Sequence, residues 1–152
     1  MIRKISAHYI FPGGAPPLKR GIVCVDEQGE ITDLIDTGGE LQEISNLEFY
    51  HGIITPGFAF GTENYATKQA SIFEEMEIRQ KKIPTIGLQE LIDWGIDNGG
   101  KKVIGKGEKP GLNLITDIDF QEMKLTSLSK MKVISIAAAT ATFGGILIQT
   151  SK

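Results

Sequence analysis

The stretch Thr55-Pro56-Gly57-Phe58-Ala59-Phe60-Gly61-Thr62-Glu63-Asn64 decides the fold, because the period of the hydrophobic pattern changes there. Before it, apolar residues come in short β-branched runs separated by glycine and proline, which is typical of strands. After it, apolar residues recur at helical spacing. Residues 1–58 are therefore predicted to form N-terminal strands, and residues 59–105 a loop and two helices.

Turn residues delimit the strands before this stretch. An apolar run over residues 2–11 predicts a first strand, which Pro12-Gly13-Gly14 ends. The β-branched run 21–25 is followed by Asp26-Glu27-Gln28-Gly29-Glu30, which predicts a hairpin with a positive φ at Gly29. Further extended segments are expected between Leu47 and Pro56.

Two helices are predicted after the stretch. Ser71-Ile72-Phe73-Glu74 has the sequence of a capping box, so a helix is expected over 71–82, where Pro84 stops it. Apolar residues at positions 88, 91, 92 and 96 share one face and predict a second helix over 87–104. Its interior glycines are expected to weaken its far half unless packing holds it.

The rest of the chain returns to strand patterns. Strands are predicted over 112–116, 124–126 and 132–136, and the tail 137–152 could form two more around a Gly-Gly turn. The prediction is one domain over 1–152 that is mostly β with two helices (α+β). It comprises N-terminal strands (1–58), a loop and two helices (59–105), and C-terminal strands (106–152).

Length, charge and cysteine content exclude several classes. A chain of 152 residues is too short for a (β/α)8 barrel of about 250 residues. A net charge of −3 favours neither nucleic acid nor an acidic membrane surface as a partner. The uncharged run 133–148 is shorter than the roughly 20 residues that cross a bilayer. Cys24 is the only cysteine, which excludes a disulfide within the chain and fits a cytoplasmic protein.

Four segments carry a family resemblance through their order along the chain: 21–31, 53–58, 88–105 and 109–115. Gly61-Thr62-Glu63-Asn64 adds a loop of Gly-Thr-acid type. Together they resemble the metal-dependent amidohydrolases, a family that includes chlorohydrolase-like and deaminase-like enzymes. In that family, N- and C-terminal strands build a small β-sandwich beside a catalytic barrel. The resemblance implies a β-sandwich of this composite-domain type with the barrel missing.

The resemblance also implies which chemistry is absent. In the family, zinc or another divalent metal, held by barrel histidines and carboxylates, activates a water molecule. Glu63 matches the Asp of the family's Gly-Thr-Asp loop, with a side chain one methylene longer. The two histidines, His8 and His51, do not form a His-x-His pair and are expected to be surface or strand residues. No catalytic, cofactor-binding or metal residue is therefore expected, except Glu63 as a relic.

Three functions remain open. The first is a non-catalytic remnant of a hydrolase that acts on C–N bonds or on chlorinated substrates. The second is an interaction module or homo-oligomer, if the helices expose their apolar residues instead of folding back on the sheet. Those residues are Ile72, Phe73, Met76, Leu88, Leu91 and Trp94. The third is one half of a split hydrolase whose barrel is a separate chain.

Overall fold

The structure is a computed structural model that describes residues 2–40, 43–59 and 64–135. In chain order the elements are β1 (Arg3–Ile10), β2 (Leu18–Lys19), β3 (Ile22–Val25), β4 (Ile31–Ile35), β5 (Leu47–Pro56), α1 (Tyr65–Lys82), α2 (Leu88–Asn98), β6 (Leu112–Asp119) and β7 (Lys124–Ile134). These residues contain no (β/α)8 barrel. The predicted class, mostly β with two helices, is confirmed.

All the strands of the described residues belong to one mixed sheet in the order β4-β3-β1-β5-β6-β7, with β2 paired to β1. β1 and β5 are parallel, and the other neighbours are antiparallel. The predicted β3–β4 hairpin is confirmed, with Gly29 at φ 85°. Pro56 at the end of β5 lies opposite Leu112 at the start of β6. The two-helix segment therefore leaves the sheet and returns to it at neighbouring points.

Strands at both ends of the sheet contribute side chains to one core on its inner face. A cluster of buried aliphatic side chains draws on β1, β3, β4, β5, β6 and β7. At one end, Arg3 of β1 donates to the carbonyl oxygen of Ser135, just after β7, at 3.0 Å. Arg3 also donates twice to the Glu48 carboxylate, at 2.8 and 2.6 Å. The two layers expected of a sandwich are thus the wings of one continuous curled sheet.

The outer face is covered by α1 and α2. A second cluster joins Ile53 and Ile115 of the sheet to the helices. Within it, four of the residues considered above for exposure are buried: Ile72, Met76, Leu88 and Leu91. The other two, Phe73 and Trp94, are partly buried against the same cluster. The helices therefore fold back on the sheet.

The predicted start of the first helix is wrong. α1 begins at Tyr65, and the Ser71-Ile72-Phe73-Glu74 sequence lies in its interior with Ser71 exposed. Asn64 at the N-cap makes no side-chain capping bond. Gln69, which is only 2% exposed, fastens these early turns to the sheet. Tertiary contact therefore extends the helix beyond its local start signal.

The predicted end of the second helix is also wrong. α2 ends at Asn98 instead of 104. The N–H of Gly100 donates to the Phe58 carbonyl oxygen at 2.6 Å, and a Cβ on Gly99 would lie 1.4 Å from that oxygen. Two glycines thus let the backbone approach Phe58 closely, and the helix ends there.

The last strands also differ from the prediction. Segments 124–126 and 132–136 were expected as separate strands, but the chain from 124 to 134 is one strand, β7. Its pairing with β6 shifts register near Asp117, which has φ 60°. The bulge accommodates residues 126–129 of β7, so the strand continues between the two predicted segments. The tail 137–152 lies outside the described residues. Within the described part of the chain, no helix is long and apolar enough to cross a membrane.

Candidate functional site at the sheet–helix junction and the β1–β5 bulge

The junction, residues 56–58, is where the chain passes from β5 towards the helices. The Gly57 N–H donates to the carbonyl oxygens of Pro110 and Gly111, both at 3.2 Å. A Cβ on Gly57 would lie 2.9 Å from the Pro110 oxygen, so the contact favours glycine. The chain leaving β5 is thereby tied directly to the chain entering β6.

Phe58 anchors both helices at the junction. Its side chain is fully buried. A Cβ on Gly95 of α2 would lie 3.1 Å from the Phe58 ring and 3.0 Å from the Met76 sulfur of α1. Such spacing indicates that the two helices and the ring pack without free volume. Close packing therefore holds α2 at one of the glycines that would weaken an unpacked helix.

A buried pair of amides lies beside Phe58. Gln69 Oε1 accepts the Phe58 N–H at 2.7 Å and Asn113 Nδ2 at 2.8 Å. Asn113 Nδ2 is also 3.5 Å from the Pro56 carbonyl oxygen. Thr55, which is fully buried, donates its hydroxyl to that same oxygen at 3.0 Å. α1, β5 and β6 are therefore joined by a polar network inside an otherwise apolar layer.

The two histidines meet at a bulge between β1 and β5. Ala7 lies opposite Tyr50, while Tyr9 lies opposite Ile53, so His51 and Gly52 together face His8. Gly52 has φ 140°, and a Cβ there would lie 2.2 Å from the Ile115 carbonyl oxygen. Its N–H donates to His8 Nδ1 at 3.1 Å. The His8 side chain therefore satisfies a backbone donor at the bulge.

Aromatic rings surround His8. Its ring centroid lies 4.8 Å from Phe120, 5.3 Å from Phe49 and 5.4 Å from His51. Burial, followed by the nearby charges of His51 and Arg20, lowers the pKa of His8 below its ordinary value. His8 therefore favours its neutral form in the folded protein.

The geometry of His8 bears on metal binding. Because Nδ1 accepts the Gly52 N–H, the proton of the neutral ring is on Nε2. A metal-binding histidine instead donates its second ring N–H to an acceptor. With Nδ1 occupied by the Gly52 N–H and Nε2 protonated, the neutral His8 ring offers no free lone pair to a metal. Across the residues that the structure describes, no three or more His, Cys, Asp and Glu side chains are grouped so as to hold a metal.

Sequence reasoning placed both histidines correctly but missed their pairing. His8 lies in β1 and His51 in β5, as strand residues. Their proximity depends on the parallel register of two strands far apart in the chain. One local signal was available, since a glycine inside a strand pattern often marks a bulge, and Gly52 is that glycine. Glu63 lies outside the described residues.

Asp117, Asp119 and Cys24 have structural roles. Asp119 Oδ1 accepts the N–H groups of Gln121 and Glu122, both at 3.0 Å. The Asp117 carbonyl oxygen accepts the hydroxyls of Thr126 and Ser129, at 2.7 and 2.8 Å. Both aspartates thus shape the β6–β7 connection. Cys24 is buried in β3, and burial raises the pKa of its thiol. A raised pKa disfavours the reactive thiolate.

The chain was compared with protein families, curated proteins and solved structures. No protein-family model matches the chain, and no curated protein matches it. Among solved structures, the crystal structure of A. niger ochratoxinase is similar at 14% identity with a TM-score of 0.29. The match covers 45% of this chain and 19% of that chain.

Proposed function

We propose that this chain is the non-catalytic β domain of a metal-dependent hydrolase of the amidohydrolase type, without the barrel that would hold the metal. A parent enzyme of this type would hydrolyse C–N bonds or chlorinated substrates. We also propose a cytoplasmic location, since a chain with one buried cysteine gains nothing from an oxidising compartment. The observation that carries the proposal is the junction at Gly57.

The junction supports the proposal through its geometry. Gly57 is hydrogen-bonded to Pro110 and Gly111, so the strands on either side of the insert are held together independently of what lies between them. A segment whose ends lie side by side can be exchanged for a larger domain without a change in strand pairing. The helices occupy the position at which a barrel would leave the sheet and return to it.

The side chains support a scaffolding role. Hydrolysis through a bound metal needs several imidazole and carboxylate ligands that hold the ion and leave one position open for water. The Nδ1 atom of His8 is occupied by the Gly52 N–H, so the His8–His51 pair does not fit a zinc site. Glu63 supplies one carboxylate, and a single carboxylate is a weak zinc ligand set.

The test is turnover after incubation with zinc, manganese or cobalt. Amides, aminopyrimidines and chlorotriazines are the substrates, and the wild type is compared with Glu63→Ala. We expect no metal-dependent turnover by either protein. Glu75→Ala, at an exposed position on α1, is the matched control. Turnover that Glu63→Ala abolishes and Glu75→Ala retains would show that the chain is an enzyme and refute the proposal.

An interaction module is the second candidate, and exposed apolar residues favour it. Ile78 on α1 and Ile83 at its C-cap are 40% and 43% exposed, and Leu128 on β7 is 71% exposed. A groove of about 480 Å³ lies between α1 and β7, with Ile78 and Leu125 in its wall. A second copy of the chain, or a separate barrel chain, would bury this surface.

Sedimentation equilibrium separates this candidate from a monomeric scaffold. If a second copy covers the groove, the wild type forms a dimer and Ile78→Lys is a monomer. Glu75→Lys, which adds the same side chain elsewhere on α1, should then leave the dimer intact. A wild type that stays monomeric at the highest concentrations measured would exclude self-association through this surface. A barrel chain supplied in trans would then be the partner to test.

A further inference from the structure

The orientation of the buried amides at the junction follows from a backbone group. Gln69 is 2% exposed and Asn113 is fully buried. The Phe58 N–H can only donate, so Gln69 must present its oxygen to it. Asn113 must then present its nitrogen to that same oxygen. Rotating either amide by half a turn would place two donors or two acceptors together.

This orientation leaves one polar atom of each side-chain amide, the open arm, without a hydrogen-bond partner in the part of the chain that the structure describes. Gln69 Nε2 carries two N–H donors, and Asn113 Oδ1 is a carbonyl acceptor. Both atoms are buried, and neither has a hydrogen-bond partner among the described residues. Two facing amides can close through two hydrogen bonds, and here only the bond from Asn113 Nδ2 to Gln69 Oε1 is formed. Buried polar groups left in this condition are rare in folded proteins.

The open atoms define the chemistry of what they bind. The ligand must accept from Gln69 Nε2 and donate to Asn113 Oδ1. It must also be neutral, because the buried polar residues of the described chain include no charged side chain that could balance an ion. Internal water molecules characteristically bind otherwise unpaired buried groups of this kind. We propose that Gln69 and Asn113 hold one internal water molecule, which links α1 to β6 beneath the junction.

This site is independent of the proposed scaffolding function, since it would serve any protein with this fold. Its role is to complete the polar contact between helix and sheet at the point where the chain leaves β5. Loss of the water would leave the first bond between Gln69 and Asn113 intact. The effect would therefore be confined to the contact between α1 and β6.

The direct test is NMR on the uniformly ¹⁵N-labelled wild type. The side-chain amide protons of Gln69 should show nuclear Overhauser cross-peaks to water, with the sign of a long-lived complex. If these protons show no such cross-peak, the proposal is wrong.

A pair of variants tests the location. Asn113→Leu keeps a similar side-chain shape but removes the acceptor, so the water cross-peak of Gln69 should disappear. Thr55→Val removes a buried hydroxyl that bonds to Pro56, outside the open arm, and should keep the cross-peak. An unchanged cross-peak in a folded Asn113→Leu protein would overturn the assignment. If that variant does not fold, the wild-type spectrum still decides.

Discussion

The two faces of the sheet are packed by different means. On the inner face, aliphatic residues such as Ile54 are enclosed by the curled sheet itself. On the outer face, Ile53 is covered by α1 and α2, which pack on the sheet through a separate apolar cluster and through hydrogen bonds of Gln69 and Gln80. Ile53 and Ile54 are neighbours in β5, and both are fully buried. The two residues are equally buried, but one is covered by helices and the other by strands of the sheet. We expect the helical layer to open more readily than the strand layer.

Truncation of Phe58 should have the largest effect. Phe58→Ala removes the ring that α1 and α2 share, and the expected loss of unfolding free energy is about 3–5 kcal/mol. Urea unfolding followed by circular dichroism and by the fluorescence of Trp94 measures it. Phe73→Ala, on α1 but only partly buried, is the matched control and should cost much less. Equal losses would mean that Phe58 is not the anchor of the outer layer.

The neighbouring isoleucines give a finer comparison. Ile53→Val and Ile54→Val each remove one methyl group and should each cost about 0.5–1.5 kcal/mol. Amide hydrogen exchange should distinguish them. Ile53→Val should accelerate exchange mainly in α1 and α2, whereas Ile54→Val should accelerate it in the strands as well. Identical exchange patterns would show that the two layers unfold as one unit.

The ion pair of Arg3 at the edge of the inner layer should contribute less to the free energy of unfolding than the isoleucine side chains do. Tyr50 donates to the Glu48 carboxylate at 3.0 Å alongside Arg3, and the bond to Glu48 raises the pKa of Arg3. The two charged side chains are 18% and 19% exposed. Glu48→Gln should therefore cost roughly 0.2–1 kcal/mol, as for partly solvated ion pairs.

The difference between wild type and Glu48→Gln should shrink in high salt, because salt screens the charges. Thermal unfolding at low and high ionic strength measures this. Glu75→Gln, at an exposed position of α1, is the control for general charge effects. A cost that does not change with salt would assign the contribution to hydrogen bonding and packing.

The smallest effect is expected from His8 and depends on pH. Burial, with His51 and Arg20, lowers the pKa of His8 in the folded state. The unfolded chain therefore takes up a proton first as the pH falls below about 6.5. The contribution of neutral His8 to the free energy of unfolding is therefore fully present above that pH. It is lost as the pH falls through the lower pKa that His8 has in the folded state.

Measuring the free energy of unfolding between about pH 5 and 8 tests this dependence. His8→Asn should flatten the slope below neutrality. His51→Gln removes one of the charges that lower the His8 pKa and should leave a smaller dependence of the same sign. A His8→Asn protein with the wild-type slope would assign the dependence to other groups.

Sequence reasoning predicted the elements whose causes are local. The β3–β4 hairpin follows from Gly29, whose positive φ a glycine accepts without strain. The two helices follow from apolar spacing, although the first begins earlier and the second ends earlier than predicted. The Gln69–Asn113 and His8–Gly52 bonds each join residues 44 positions apart. No local pattern encodes such contacts, so the amide network and the histidine pair were missed.

The amino-acid sequence by itself determined the mostly β class, the order of strands and helices, and the change of pattern at Pro56-Gly57-Phe58. These depend on turn chemistry and on hydrophobic period, which act over a few residues. Only the tertiary structure decided that the helices lie on the sheet, that α2 ends where its backbone meets Phe58, and that His8 supports the bulge at Gly52. Those outcomes depend on contacts between residues that are far apart in the sequence, and such contacts form only when the sheet and helices are assembled.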